Sequence, residues 1–317
     1  MRIFVCLIAF FAFSWGGVDS YGRLVEIKDA KRIVFIGEGA LRAGIYLGLE
    51  DKIVAIQKID IATNAPYSEF IRSSESLKNV KLLEYDGYFV NKDEFSELKA
   101  DLLVVANADK DRLDRFERVL NIPVLGVKFD YKNPIKSFKD AVWIIANATN
   151  SQDRANEFLE NVSSLEFELS SYKVSGKKFY IGGLEYFGSR GILASSENYA
   201  PFELLGIKNE ADFTHALNQI SFSAGTLLRI DPDIIFIDEN AKQSYKKDLD
   251  ESERILNLLS AIKEKQVYFV PNYINYGINI ENCFIGAYEI AYHTGINLDL
   301  QAKKKQIYKI FYGKDFK

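Results

Sequence analysis

The first place where this sequence could do chemistry is Gly37-Glu38-Gly39-Ala40-Leu41-Arg42, which follows the apolar run Arg32–Ile36 and opens a helix-forming stretch. A strand–loop–helix of this kind turns backbone N–H groups toward an anion or polar ligand. The dinucleotide pattern G-x-G-x-x-G needs a third glycine at position 42, where this chain has Arg42, so a pyrophosphate fits poorly. Aromatic residues gather past other apolar runs: Tyr67 after Pro66, Tyr186 and Phe187, Tyr199 and Phe202, Tyr273 and Tyr276. Arg42, Arg190, Asn198 and Asn275 stand beside them. Loop aromatics mixed with guanidinium and amide groups suit a cleft for a bulky or anionic ligand. The plain alternative is that each ring covers its own core. Glu38 and Asn107 complete the candidate ligand contacts, each following an apolar run.

Other chemistries lack their residues. No G-x-S-x-G, Walker loop, H-E-x-x-H or C-x-x-C occurs. His215 and His293 are the only histidines, which argues against a centre built from several imidazoles. Asp231-Pro232-Asp233 could be paired carboxylates but reads better as a turn feeding a strand. Lys plus Arg number 40 and Asp plus Glu 44, a net charge of −4, so no basic excess is available for nucleic acid.

The elements that must position these residues are legible as alternating patterns. The continuous apolar runs 32–36, 52–56, 80–83, 101–106 and 122–127 read as strands with helices between them, hence a parallel sheet covered on both faces. The pattern restarts with strands at 178–181, 233–237 and 267–270, and helices close the chain at 282–292 and 300–312. Between the two halves, Ser151–Tyr172 lacks Gly and Pro and repeats Ala155, Phe158, Leu159, Val162, Leu165 and Leu169 at helical spacing. The reading is an α/β chain of two Rossmann-like lobes, 21–148 and 175–317, joined by one long helix at 149–174. At 317 residues the chain is long enough for two cores.

The first twenty residues read as a leader: Arg2, an apolar run from Ile3 to Phe13, then Ser14 with Gly16 or Val18 with Ser20, either pair usable as the −3 and −1 cleavage positions. The run is too short for a stable membrane anchor. Cleavage after Ser20 is expected, releasing a monomeric protein to the periplasm.

Several segments together resemble the helical-backbone substrate-binding proteins of ABC importers, the class that captures iron–siderophore complexes, haem, cobalamin and, in some members, molybdate or tungstate. They are RIVFIGEGALRAGIYLGLEDKIVAI (32–56), KADLLVVAN (99–107), NIPVLGV (121–127), SSENYAPFELLGIKNEA (195–211), IDPDIIFID (230–238) and NYINYGINIENCFIGAYEIAY (272–292). The resemblance covers nearly all of 32–313. It implies a non-enzymatic protein without a cofactor, partnered by a metal-chelate or oxyanion ligand and by a membrane permease. Loops of the two lobes would form opposite walls of one groove.

On that reading Glu38, Arg42, Tyr67, Asn107, Phe187, Arg190, Asn198, Tyr199, Tyr273, Asn275 and Tyr276 line the ligand site. Arg42 and Arg190 would clamp an anion, and replacing both would weaken binding without moving the melting point of the empty protein. Asp93 or Glu94 would dock the permease from the first lobe. The second lobe has Gly225 where an acid is expected, leaving Glu210 or Asp212 as substitutes. An iron–siderophore or related iron complex is the expected ligand; a molybdate or tungstate oxyanion is the alternative. A two-lobe enzyme using a nucleotide, or a metal-cluster assembly protein, is the reading from a different class.

Overall fold

The structure, a computed structural model, describes residues 14–62, 66–84, 89–174, 176–184, 191–196, 198–211, 220–221 and 223–313. Its contacts divide the chain into two compact units. One holds residues up to Phe129 with Lys139–Asn156, the other Asp130–Phe138 with everything from Glu157.

In the first unit the strands β3 (Ile33–Ile36), β4 (Ile53–Gln57), β5 (Lys81–Leu83), β6 (Leu102–Ala106) and β7 (Val124–Val127) form one parallel sheet in the order β5-β4-β3-β6-β7. Every residue of β3, β6 and β7 is buried, as strands covered on both faces require. Helices α1 (Ala40–Tyr46), α2 (Pro66–Ser73), α3 (Lys92–Leu98) and α4 (Lys110–Leu120) supply the crossovers. The strand order reverses between β3 and β6, which is where open α/β sheets open a crevice at their carboxyl ends.

A hairpin, β1 (Ser14–Val18) and β2 (Leu24–Lys28), precedes this sheet. The leader expected at residues 1–20 therefore overlaps a folded segment from Ser14 onward. Its apolar residues 1–13 lie outside the described residues.

Helices α5 (Pro134–Thr149) and α6 (Gln152–Ser171) both run through the boundary between the units. The long helix expected from its periodicity is α6, and it joins the lobes. Ala155, Phe158, Val162, Leu165 and Leu169 are all fully buried along one stripe, Leu159 of the expected stripe is only half-buried, and Phe167 points outward at 78% exposure. That α5 also crosses was not legible, because its sequence is apolar on too many sides to show where it changes partners.

The second unit is built around β8 (Phe179–Gly182), β11 (Ile234–Asp238) and β12 (Val267–Val270), parallel in the order β12-β11-β8. The short strands β9 (Ala194–Ser195) and β10 (Ile220–Ser221) pair separately. Helices α7 (Ala200–Leu204), α8 (Ala224–Ile230), α9 (Lys242–Glu251), α10 (Glu253–Leu256) and α11 (Ser260–Lys263) surround the sheet, and α12 (Ile280–His293) and α13 (Leu300–Tyr312) close it.

The Asp that precedes a strand in each lobe has a physical role. Asp101 accepts from the backbone N–H groups of Lys31 and Arg32, while its own N–H donates to the Arg32 carbonyl. In the second unit the Asp233 carboxylate accepts from the Lys178 N–H at 2.7 Å, and its N–H donates to the Lys178 carbonyl. Each Asp thus pins the start of a neighbouring strand whose N–H groups would otherwise lack partners. Asp231 caps α8 in a left-handed conformation and accepts from the Ser260 N–H and hydroxyl. The Asp-Pro-Asp carboxylates are therefore spent on backbone and hydroxyl donors, as a turn would use them.

Candidate functional site

The carboxyl end of β3 turns sharply at Gly37, which has φ of +91°. A Cβ there would lie 2.5 Å from the carbonyl oxygen of Ala106, the last residue of β6. Only glycine lets the two strand ends meet this closely. The exposed side chain of Glu38 and the exposed Asn107 thus sit on the two loops that flank the switch point. Asn107 is left-handed, and its Oδ1 accepts from the Phe129 N–H at 2.8 Å, which fixes that loop to the end of β7.

Behind this crevice lies a buried polar cluster. The Gly37 N–H donates to Gln57 Oε1 at 2.8 Å, and the Gln57 N–H donates to Asp60 Oδ2 at 3.0 Å. The Tyr67 hydroxyl donates to Asp60 Oδ1 at 3.0 Å, and the Arg42 guanidinium stacks on the Tyr67 ring at 4.1 Å. Arg42 is 5% exposed and Tyr67 2%. Burial pushes the Asp60 carboxyl up to about 6; the Arg42 charge and the Tyr67 hydrogen bond pull the other way. Burial and the Asp60 charge hold the Tyr67 phenol well above its usual value. Arg42 is therefore buried, stacked on Tyr67 and near enough to Asp60 for its charge to favour the ionised carboxylate, and is not an exposed clamp. Sequence reasoning missed Gln57 and Asp60. The Gln-x-x-Asp spacing after an apolar run is the capping box that would have signalled them.

At the strand ends of the second unit, Asp238 closes β11. Its carboxylate accepts from the Asn240 N–H at 2.9 Å and from Asn272 Nδ2 at 2.7 Å, and burial pushes it up to about 6. Asn279 knits the following loop together by donating to the carbonyls of Tyr273, Asn275 and Gly277. Asn275 is exposed at its tip, with half-buried Tyr276 in a left-handed conformation beside it. Asn198 is likewise exposed and left-handed, just before α7.

Tyr199 and Tyr273 are each only 2% exposed, with ring centroids 5.6 Å apart, and Tyr199 meets Phe202 edge-on at 5.1 Å. These rings, like Tyr67, pack into their own unit, which corrects the expectation of exposed loop aromatics. Burying such a ring removes roughly 150–250 Å² from water, which favours packing it inside over leaving it exposed. The structure brings Glu38 and Asn107 to one edge in the first unit and leaves Asn198, Asn275 and Tyr276 presented in the second. Phe187, Arg190 and Asp212 lie outside the described residues.

The expected docking acids sit in the first turn of α3. Asn91 caps that helix by accepting from the N–H groups of Asp93 and Glu94. Asp93 is exposed, whereas Glu94 is paired with Lys81 at 3.3 Å. In the second unit Gly225 occupies the corresponding turn of α8, where a Cβ would meet nothing closer than Ser223 Oγ at 3.9 Å. Packing therefore does not demand a glycine there. Glu210 is half-buried, its N–H donating to the Phe179 carbonyl.

A family model described as "Periplasmic binding protein" matches residues 33–274. Comparison with curated protein sequences gives no match. Among solved structures, the chain is similar to the molybdate periplasmic binding protein MolA of Haemophilus influenzae at 20% identity, covering 96% of this chain and 99% of that one, TM-score 0.70. It is similar to a periplasmic solute binding protein of Veillonella parvula at 16% identity, covering 96% and 94%, TM-score 0.69. It is also similar to Helicobacter pylori CeuE in a nickel–histidine complex, at 19% identity, covering 95% and 96%, TM-score 0.65. At these identities the likeness is one of fold.

Proposed function

We propose, from the premise that this chain belongs to the periplasmic binding protein family, that it captures a metal chelate, most simply an iron–siderophore or similar iron complex. The family's members are non-enzymatic and hand their solute to an ABC permease. Residues 1–13 then serve as part of a secretory leader, and no helix among the described residues is long and apolar enough to cross a membrane.

The observation that carries the chelate reading is how the strand-end groups are used. Glu38, Asn107, Asn198, Asn275 and Tyr276 are presented, while Arg42 is buried against Asp60 and Tyr67. Amides, a carboxylate and a phenol can hydrogen-bond the ligand shell of a metal that is already wrapped. A bare oxyanion asks for exposed positive charge or converging backbone N–H groups. The likeness to MolA bound to molybdate favours the oxyanion as the second reading.

Asp93, exposed where Glu94 is paired, is the better candidate to meet the permease from the first unit. A thermal-shift panel of ferric siderophores, haem, cobalamin, nickel–histidine, molybdate and tungstate tests the ligand. A ligand at 100 times its dissociation constant adds about 2.7 kcal/mol. A shift with a chelate supports the proposal; a shift with molybdate or tungstate alone replaces it with the oxyanion reading.

A further inference from the structure

The tip of the β1–β2 hairpin is built into the first unit. Asp19 is 4% exposed, and its carboxylate accepts from the N–H groups of Tyr21, Arg23 and Gly126 and from the Arg23 guanidinium at 3.0 Å. Arg23, 6% exposed, also donates to the Val124 carbonyl at 2.8 Å, to Asp114 at 2.6 Å and to Glu117, joining β7 and α4. The Ser20 N–H donates to the Gly126 carbonyl at 3.0 Å. Because β7 is an edge strand of the sheet, the tip occupies polar groups that would otherwise be open.

Gly126 supplies an independent sign. A glycine inside a buried strand weakens it unless another group approaches closely. A Cβ at Gly126 would lie 2.7 Å from the Tyr21 ring and 3.0 Å from Asp19 Oδ2, and 2.5 Å from Leu113. The glycine makes room for the hairpin tip.

Cleavage after Ser20 would remove Asp19 and leave Arg23 in its buried place with one carboxylate fewer. We propose that leader processing falls between Ser14 and Trp15, so that β1 from Trp15 and the Asp19–Arg23 pair stay in the mature protein. Ala12 and Ser14 then supply the small residues at the −3 and −1 positions. A leader peptidase hydrolyses that peptide bond with one water, leaving a carboxylate on Ser14 and a free amino group on Trp15. The assignment rests on the leader reading above.

Two measurements test it. Intact-mass analysis of the protein secreted by a bacterial host should give a chain beginning at Trp15. A chain beginning at Gly17 or Tyr21 overturns the assignment, and a mass that retains residues 2–13 removes the leader reading and the cut with it. Independently of any leader, chains produced in the cytoplasm from Trp15 and from Tyr21 should differ in melting temperature. The shorter one is expected to melt roughly 5–10 °C lower, since it breaks a buried ion pair. Equal melting temperatures overturn the proposal by showing that the tip is dispensable.

Discussion

At the scale of the residue, the main revision concerns Arg42. A charged side chain one turn into a helix reads from sequence as available for an anion. Here it is the counter-charge of a buried carboxylate and is stacked on Tyr67. Replacing Arg42 with Ala should therefore lower the melting point of the empty protein, because it removes both the stacking on Tyr67 and the positive charge that favours ionised Asp60. The loss should depend on pH. Arg42 lowers the Asp60 pKa, and that help matters only when Asp60 is ionised. The gap between wild type and Arg42→Ala should thus widen as pH rises through about 6. Thermal melts from about pH 5 to about pH 8 check this; a pH-independent gap would show that Arg42 acts by packing alone.

Asp238 makes the opposite comparison possible. Its pKa in the folded protein is pushed up to about 6, above the unfolded value of 3.8, chiefly by burial. The folded state then binds more protons than the unfolded state between these values. The contribution of this group is fully present below the lower value and is lost as pH rises through the higher one. Asp238→Asn mimics the neutral form. Relative to wild type, the variant should gain ground as pH rises from about 4 to about 7, ending neutral or stabilising. A melting-point difference that stays flat over that range counts against the assignment.

At the scale of the element, α6 is where sequence and structure agree most closely. Its stripe of Ala155, Phe158, Val162, Leu165 and Leu169 has the period of one helical face, and all are buried. A proline at position 162 removes a backbone donor and clashes with the preceding turn, costing about 3 kcal/mol or more. Val162→Pro should lower the melting point and broaden or split the transition, read by calorimetry. An unchanged, single transition would mean that the helix does not couple the units. The hairpin β1–β2, in contrast, was hidden. Its strands follow an apolar run that has the composition of a leader, and a five-residue strand cannot be told from such a run by local pattern.

At the scale of the whole molecule, the two units repeat one device, a helix end followed by an Asp that pins the start of a neighbouring strand, yet they differ at the helix turn proposed to meet a permease. The first turn of α3 carries Asp93 and Glu94, and that of α8 carries no acid. Asp93→Lys should reduce ligand uptake by cells at least tenfold while leaving ligand affinity unchanged, since docking charges act on encounter and on the complex. Uptake and calorimetry on the same variant decide; a parallel loss of affinity would move Asp93 into the ligand site. Gly225→Glu, placed where the structure leaves room for a side chain, should not lower the unfolding free energy by more than about 1 kcal/mol, checked by denaturant titration.

The strand order of events along the chain, the two α/β halves, the long helix and the family likeness were all determined by the sequence itself. They depend on local periodicity and on residues near one another in the chain. Gly37 and Asn107 could be marked as strand-end residues for the same reason. Only the tertiary structure decided which polar residues are presented and which are spent inside. Tyr67 in the first turn of α2, Tyr199 just before α7 and Tyr273 in the loop after β12 stand where exposed rings could, but each is buried within its own unit. Arg42 finds Asp60 across eighteen positions of chain, and Asp19 reaches Gly126 across more than a hundred. Such pairings are fixed by how strands stack in the sheet, and neither partner carries a local sign of the other.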